Sequence, residues 1–250
     1  LSQTIISARL VATALLAMVV LHIRLTTRDW IAGAVVVASL VLLAALMPAV
    51  IQLMAAAATT YAVSLDFGPG RHARVLPRLA GGLLPAMLGK LLPYTFLFML
   101  ILGISDVGLY GWLGVPLRGS LLLMGVGAAL FIIACQLIGA LCFLLTRDFA
   151  RAISFVGVIL APALGYMGIG FPREAMPPLA QAWSVLIPGT WYIQLRIDQS
   201  LRATPMDLSV WPVLYLLAIA VALGLIVLLR LDRMRSALAP ATARTARRTA

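Results

Sequence analysis

Apolar residues along this chain run in long blocks interrupted mainly by charges. Five windows carry no charge or a single one: between Asp29 and Asp66, between Arg78 and Asp106 with Lys90 inside, between Arg118 and Arg147, between Arg151 and Arg173, and between Asp207 and Arg230. Each holds the ~20 residues a helix needs to cross a hydrocarbon core about 30 Å thick. A chain inside lipid must satisfy its own backbone groups, so each window predicts a membrane-spanning helix, near 31–60, 84–105, 119–145, 152–171 and 210–230. A sixth apolar stretch, 5–23, has 14 residues between Arg9 and Arg24, about 21 Å as helix, which is short for a crossing. Its end alternates Leu21, Ile23 and Leu25 with His22, Arg24 and Thr26, the pattern of a half-buried strand. Residues 1–29 therefore read as a helix followed by a strand outside the bilayer.

Composition supports the lipid reading. Of 250 residues, 63% are hydrophobic and 11% charged, against about 45–50% and 25% in soluble domains. The chain carries 19 Lys and Arg against 8 Asp and Glu, and with five spans these charges sort onto two sides. Arg71, Arg74, Arg78, Lys90, Arg147, Arg151, Arg230, Arg233, Arg235, Arg244, Arg247 and Arg248 fall on one side; Arg9, Arg24, Arg28, Arg118, Arg173, Arg196 and Arg202 fall on the other. The positive-inside bias places the richer side, with the 62–84 loop, the 146–151 loop and the C-terminus, in the cytoplasm. The net charge of +11 thus reports orientation, with no need of a nucleic-acid partner. A chain that enters its first span from outside, and begins at Leu1, is expected to follow an earlier span. The basic tail, 233–250, has no apolar periodicity; it reads as a disordered segment or as one that holds anionic headgroups.

Candidate chemistry is sparse. The two cysteines, Cys135 and Cys142, lie two turns apart on one predicted helix, too distant to bridge, and read as small buried apolar residues. His22 and His72 fall on opposite sides, so they share neither metal nor proton. No GxxxxGK[ST] phosphate loop is present, so ATP chemistry belongs to another chain. Lys90 either snorkels from one end of its span or lines a conduit. Gln52, Tyr94 and Gln136 are the candidate pathway-lining polar residues, with bonding to a neighbouring helix as the alternative use. Gly125 and Ala129, and Gly157, Ala161 and Gly165, have the small-residue spacing of close helix packing, and Pro162 predicts a kink.

Between 171 and 210 the chain is patterned. After Pro177-Pro178, Leu179, Trp183 and Leu186 recur at helical spacing; beyond Pro188-Gly189, Ile193, Ile197 and Leu201 mark one helix face, with Arg196 and Gln199 on another. Two short amphipathic helices are predicted, held at the outer membrane interface by Trp183, Trp191 and Tyr192, with Asp198 and Arg202 paired at i,i+4.

This loop, GFPREAMPPLAQAWSVLIPGTWYIQLRIDQ, resembles the last extracytoplasmic segment of ABC-2 family permeases, and LGKLLPY at 88–94 is similar to that family's entry into the span after its first cytoplasmic loop. The resemblance covers about residues 30–232. It implies an all-α polytopic membrane protein with five transmembrane helices here and six in the complete fold, two outer amphipathic helices and, at 1–29, the remnant of an extracytoplasmic α/β domain. It further implies an exporter permease of the bacterial inner membrane, a homodimer or a heterodimer with a related permease, with no cofactor of its own, ATP and Mg being held by a cytoplasmic ABC ATPase subunit. In such permeases the first cytoplasmic loop carries acidic residues and a Gly-Thr pair that touch the ATPase. Here it reads SLDFGPGRHARVLPRLAGG, so Asp66, Arg71, Arg74 and Arg78 are the docking candidates, and a non-transporting scaffold with weakened coupling is the alternative function.

Overall fold

The computed structural model describes residues 27–67, 82–112, 119–168, 175–202, 204 and 206–246. All regular structure within them is helical. In chain order the elements are α1 (Thr27–Phe67), α2 (Leu83–Asp106) running into a π-helical turn (Val107–Trp112), α3 (Leu121–Thr146), α4 (Phe149–Leu160), a single turn α5 (Ala163–Tyr166), α6 (Pro178–Leu186), α7 (Pro188–Ile197) running into a second π-helical turn (Asp198–Arg202), and α8 (Met206–Ala246).

Local sequence explains the boundaries. The Ser120 hydroxyl caps α3 by accepting from the Leu123 N–H. At its other end Arg147 takes the left-handed conformation, φ 55°, and donates its N–H to the Phe143 carbonyl. One residue later, Asp148 accepts the Arg151 N–H at 2.8 Å and starts α4. Two caps in adjacent residues thus turn the chain back within a tight α3–α4 hairpin.

Among the described residues, four helices are long and apolar enough to cross a membrane: Leu46–Phe67, Leu84–Gly111, Leu121–Thr146 and Ser209–Met234. The span expected near 152–171, with its kink at Pro162, is found as two helical pieces. α4 has 12 residues, about 18 Å, and the helix breaks at Ala161-Pro162 before the four-residue α5. Ala161 itself keeps helical angles, φ −63° and ψ −41°, and donates its N–H to the Gly157 carbonyl, whereas Pro162 has no N–H to offer, so the predicted kink falls where the ladder loses a rung.

Lipid gives helices little hydrophobic reason to associate, so close packing has to hold them. α3 is the hub, with buried residues from Met124 to Leu144. α1 and α3 approach at backbone distance where Ala56 meets Gly139: a Cβ at Gly139 would run into the Ala56 carbonyl. The Thr60 hydroxyl bonds at this crossing, within 2.9 Å of the Ala56 carbonyl and 3.1 Å of that of Gly139. Two apolar clusters follow along α3. One joins Val63, Phe67, Met87, Phe143, Val156, Val227 and Leu231; the other joins Ile51, Phe98, Leu102, Phe131, Cys135, Tyr192 and Leu216. Both cysteines are buried, as their spacing predicts. Within this chain Gly127 and Gly139 make the close contacts, while Gly125, Gly157 and Gly165 face open space.

The expectation of a disordered basic tail is corrected for most of its length. α8 is helical through Ala246, 41 residues in all, about 61 Å. The strand and helix expected within 1–26, and Arg71, His72, Arg74 and Arg78, lie outside the described residues.

Candidate functional site

The feature that sets this bundle apart from a simple set of spans is α7, which is inserted among the helices. Ile187 is extended and Pro188 starts the helix, its fixed φ suiting the first turn. The N–H of Gly189 donates to Gln52 Oε1 of α1 at 2.9 Å, satisfying one of the amides that a helix start leaves over. One turn on, Tyr192 is fully buried and its ring stacks on Phe131 of α3, centroids 4.7 Å apart and planes 6° apart. Leu195 lies over Gly127, where a Cβ would meet its side chain. Then Arg196, 7% exposed, places Nη2 2.6 Å from Asp106 Oδ1 at the end of α2, its guanidinium 5.8 Å from the Tyr192 ring centre. In the π-helical turn, Gln199 Oε1 accepts the Ser120 N–H at 2.7 Å. Trp191 stacks on Tyr215 of α8 at 3.9 Å and donates its indole N–H to the Val185 carbonyl of α6.

α7 is therefore bonded or packed to α1, α2, α3, α6 and α8. Phe131 lies about 15 Å along α3 from Leu121, so α7 reaches well into the bundle from the end where α3 begins. The expectation of two helices at the membrane interface is thus divided. α6 keeps its apolar stripe outward, with Leu179, Trp183 and Leu186 exposed. α7 does not: Tyr192, Arg196 and Asp198 are buried, and the face that looked solvated in the sequence is tied to other helices. The i,i+4 pair is present, Arg202 Nη1 lying 3.3 Å from Asp198 Oδ1, with Gln194 Nε2 at 3.3 Å from both Asp198 oxygens.

Of the pathway candidates, Gln52 holds the start of α7. Gln136 accepts from the Thr95 hydroxyl at 2.7 Å and donates to the Leu91 carbonyl at 3.3 Å, so it fastens α3 to α2, with Tyr94 half-buried on that side. The structure does not bring Gln52 and Gln136 together in one bond network. Several buried polar atoms around α7 have no partner: Gln52 Nε2, Thr190 Oγ1, the Tyr192 hydroxyl, Arg196 Nη1 and Gln199 Nε2. Of the docking candidates, Asp66 pairs with Lys90 at 2.5 Å. This pair links the end of α1 to the second turn of α2, on either side of residues 68–81, so Lys90 meets a carboxylate instead of reaching alone for the interface.

Asp106, Ser120, Gly127 and Phe131 were not found by sequence reasoning. Asp106 left a signal: a carboxylate closing an apolar window needs a partner.

The fold and site define a polytopic helical membrane protein whose bundle is stopped at one end by an inserted helix. Residues 36–229 match the ABC-2 family transporter protein family, and the chain belongs to that family. Among curated proteins it is 31% identical over 136 residues to the "Probable multidrug ABC transporter permease YbhS" of Escherichia coli (strain K12), covering 54% of this chain and 36% of that one. It is 32% identical over 146 residues to the "Inner membrane transport permease YhhJ" of Escherichia coli (strain K12), covering 58% and 39%. The chain thus spans little more than a third of the length of these relatives. No solved structure matches it.

Proposed function

We propose that this chain is the membrane-spanning part of an ABC exporter permease, forming a transmembrane pathway powered by a separate cytoplasmic ATPase that binds ATP and Mg. The family match over 36–229 carries this reading. The inserted α7 supports it, since a helix that stops one end of a bundle suits a pathway that must open and close. In this reading α4 and α5 together make the fifth crossing, the α7 end faces outward, and the C-terminus is cytoplasmic in a bacterial inner membrane. The working unit is a dimer with a second copy or a related permease, and 1–29 ends an outer α/β domain. The name of one relative points to small-molecule cargo. The test is reconstitution of the full-length permease with its ATPase in vesicles. Substrate-dependent ATP hydrolysis is expected; none with both proteins present counts against the reading.

One observation favours a second reading, a scaffold subunit with weak coupling. Asp66, the acid nearest the start of the 68–81 loop, is engaged by Lys90, and the loop itself is basic. Arg71→Glu with Arg74→Glu changes ATPase stimulation in a coupled permease and leaves a scaffold unaffected.

A further inference from the structure

We infer that Arg196, acting through Asp106, is a positioning residue that holds α7 as the releasable outer seal of the pathway. This rests on the permease reading above for its purpose, and on the geometry for its mechanism.

The pair joins the two elements that would have to separate. Asp106 is the last residue of α2 and Arg196 lies in the last turn of α7. It is the charged contact in a seat otherwise built from a ring stack, a leucine over a glycine and two amide bonds. A buried ion pair is a poor way to maximise stability, because the desolvation of two charges offsets most of their attraction and apolar groups of the same shape do as well. Its distinguishing property is asymmetry: intact, each charge faces its counter-charge, and losing one partner leaves a charge stranded in low dielectric. A contact of that kind gives a seat two states with little between.

The backbone on both sides departs from regular α-helix. α2 widens into a π-helical turn at Val107, directly after Asp106, and α7 does the same at Asp198, two residues after Arg196. π-helical turns are rare, recur at functional sites and are among the places where helices kink. Two of them flank this one ion pair. Next to it, Arg196 Nη1, the Tyr192 hydroxyl and Gln199 Nε2 are buried without partners, on residues four and three apart along one strip of α7 and its extension. These groups weaken the closed seat and gain partners when water enters, so release is not opposed by the whole interface.

Beneath the seat lies a natural reporter. Cys135 is fully buried one turn below Phe131, in the cluster that Tyr192 closes. The experiment uses the full-length permease carrying Cys142→Ala. Modification of Cys135 by a charged, membrane-impermeant methanethiosulfonate is followed by peptide mass, with reagent added to right-side-out or to inverted vesicles. No ATPase or cargo is needed, so failure of this inference is distinct from failure of the permease reading. Arg196→Ala and Asp106→Asn are expected to speed modification about tenfold or more from the outer face alone, as expected when a buried charge loses its partner. The exchanged pair, Asp106→Arg with Arg196→Asp, is expected to return the rate to within about threefold of the parent. One-sided acceleration with recovery in the exchanged pair supports the inference. A parental rate in Arg196→Ala overturns it, as does equal acceleration from both faces, which would mean the pair holds the fold as a whole. An exchanged pair that reacts as fast as the single variants overturns it too.

Discussion

At the scale of the residue, the tightest constraint is Gly139 against Ala56, backbone on backbone. Gly139→Ala is expected to lower stability by about 1–3 kcal/mol, since neither helix can yield at a flexible side-chain tip. Gly125→Ala, facing open space, should fall within about 0.5 kcal/mol of the parent; thermal unfolding in detergent separates the two. Tyr192 offers a second contrast. Tyr192→Ala removes a buried ring from the Phe131 stack and should cost about 3–5 kcal/mol, whereas Tyr192→Phe keeps the stack and deletes a buried hydroxyl without a partner, so its melting temperature is expected to stay level or rise. Residue types and depths were legible in the sequence here. Cys135 and Cys142 were rightly placed inside, and the Asp198–Arg202 pair was found because its partners are neighbours on one helix. Arg196 could not be matched to Asp106, because a separation of 90 positions erases any periodic trace.

At the scale of the element, charges marked helices better than their ends. The span expected at 31–60 belongs to a helix running from Thr27 to Phe67, because a helix need not stop where lipid does. The fourth window is divided for a local reason, since Pro162 falls inside it. Pro162→Ala restores the missing N–H and should join α4 to α5. Hydrogen exchange across 161–166 is expected to slow, and unchanged exchange would place the break in the packing instead of the proline. α7 was misread for the opposite reason. Its polar face looked solvated because periodicity shows which residues share a side but not what covers it, and Asp106, Ser120 and Gln52 come from three other helices.

At the scale of the molecule, the sorting of positive charge gives an orientation that can be checked directly. A fluorescent reporter fused after Ala250 is expected to mature, and a cysteine at Gln181 on α6 to react with impermeant reagent only from outside; the reverse pattern would invert the assignment. Window length also showed that the chain is built on membrane-spanning helices. It did not show that α3 is the hub, because the order of helices around a bundle depends on which small residues admit a neighbour, and the spacing rule picked Gly125 where the structure uses Gly127.

The length of α8 has a mechanical consequence. Tyr215 stacks on Trp191 beside the inserted helix, and the same unbroken helix continues past Leu231, packed against Phe143 and Val156, to Met234. The stretch from Tyr215 to Met234 is a rod about 28 Å long. Pivoted at the aromatic stack, a tilt of about 5° carries its far end roughly 2.5 Å, comparable to the helix shifts of about 1–2 Å that accompany switching at interfaces. Because α8 is unbroken between these two contacts, a displacement of its basic end is expected to be felt at the ring stack without any signal having to pass through the core.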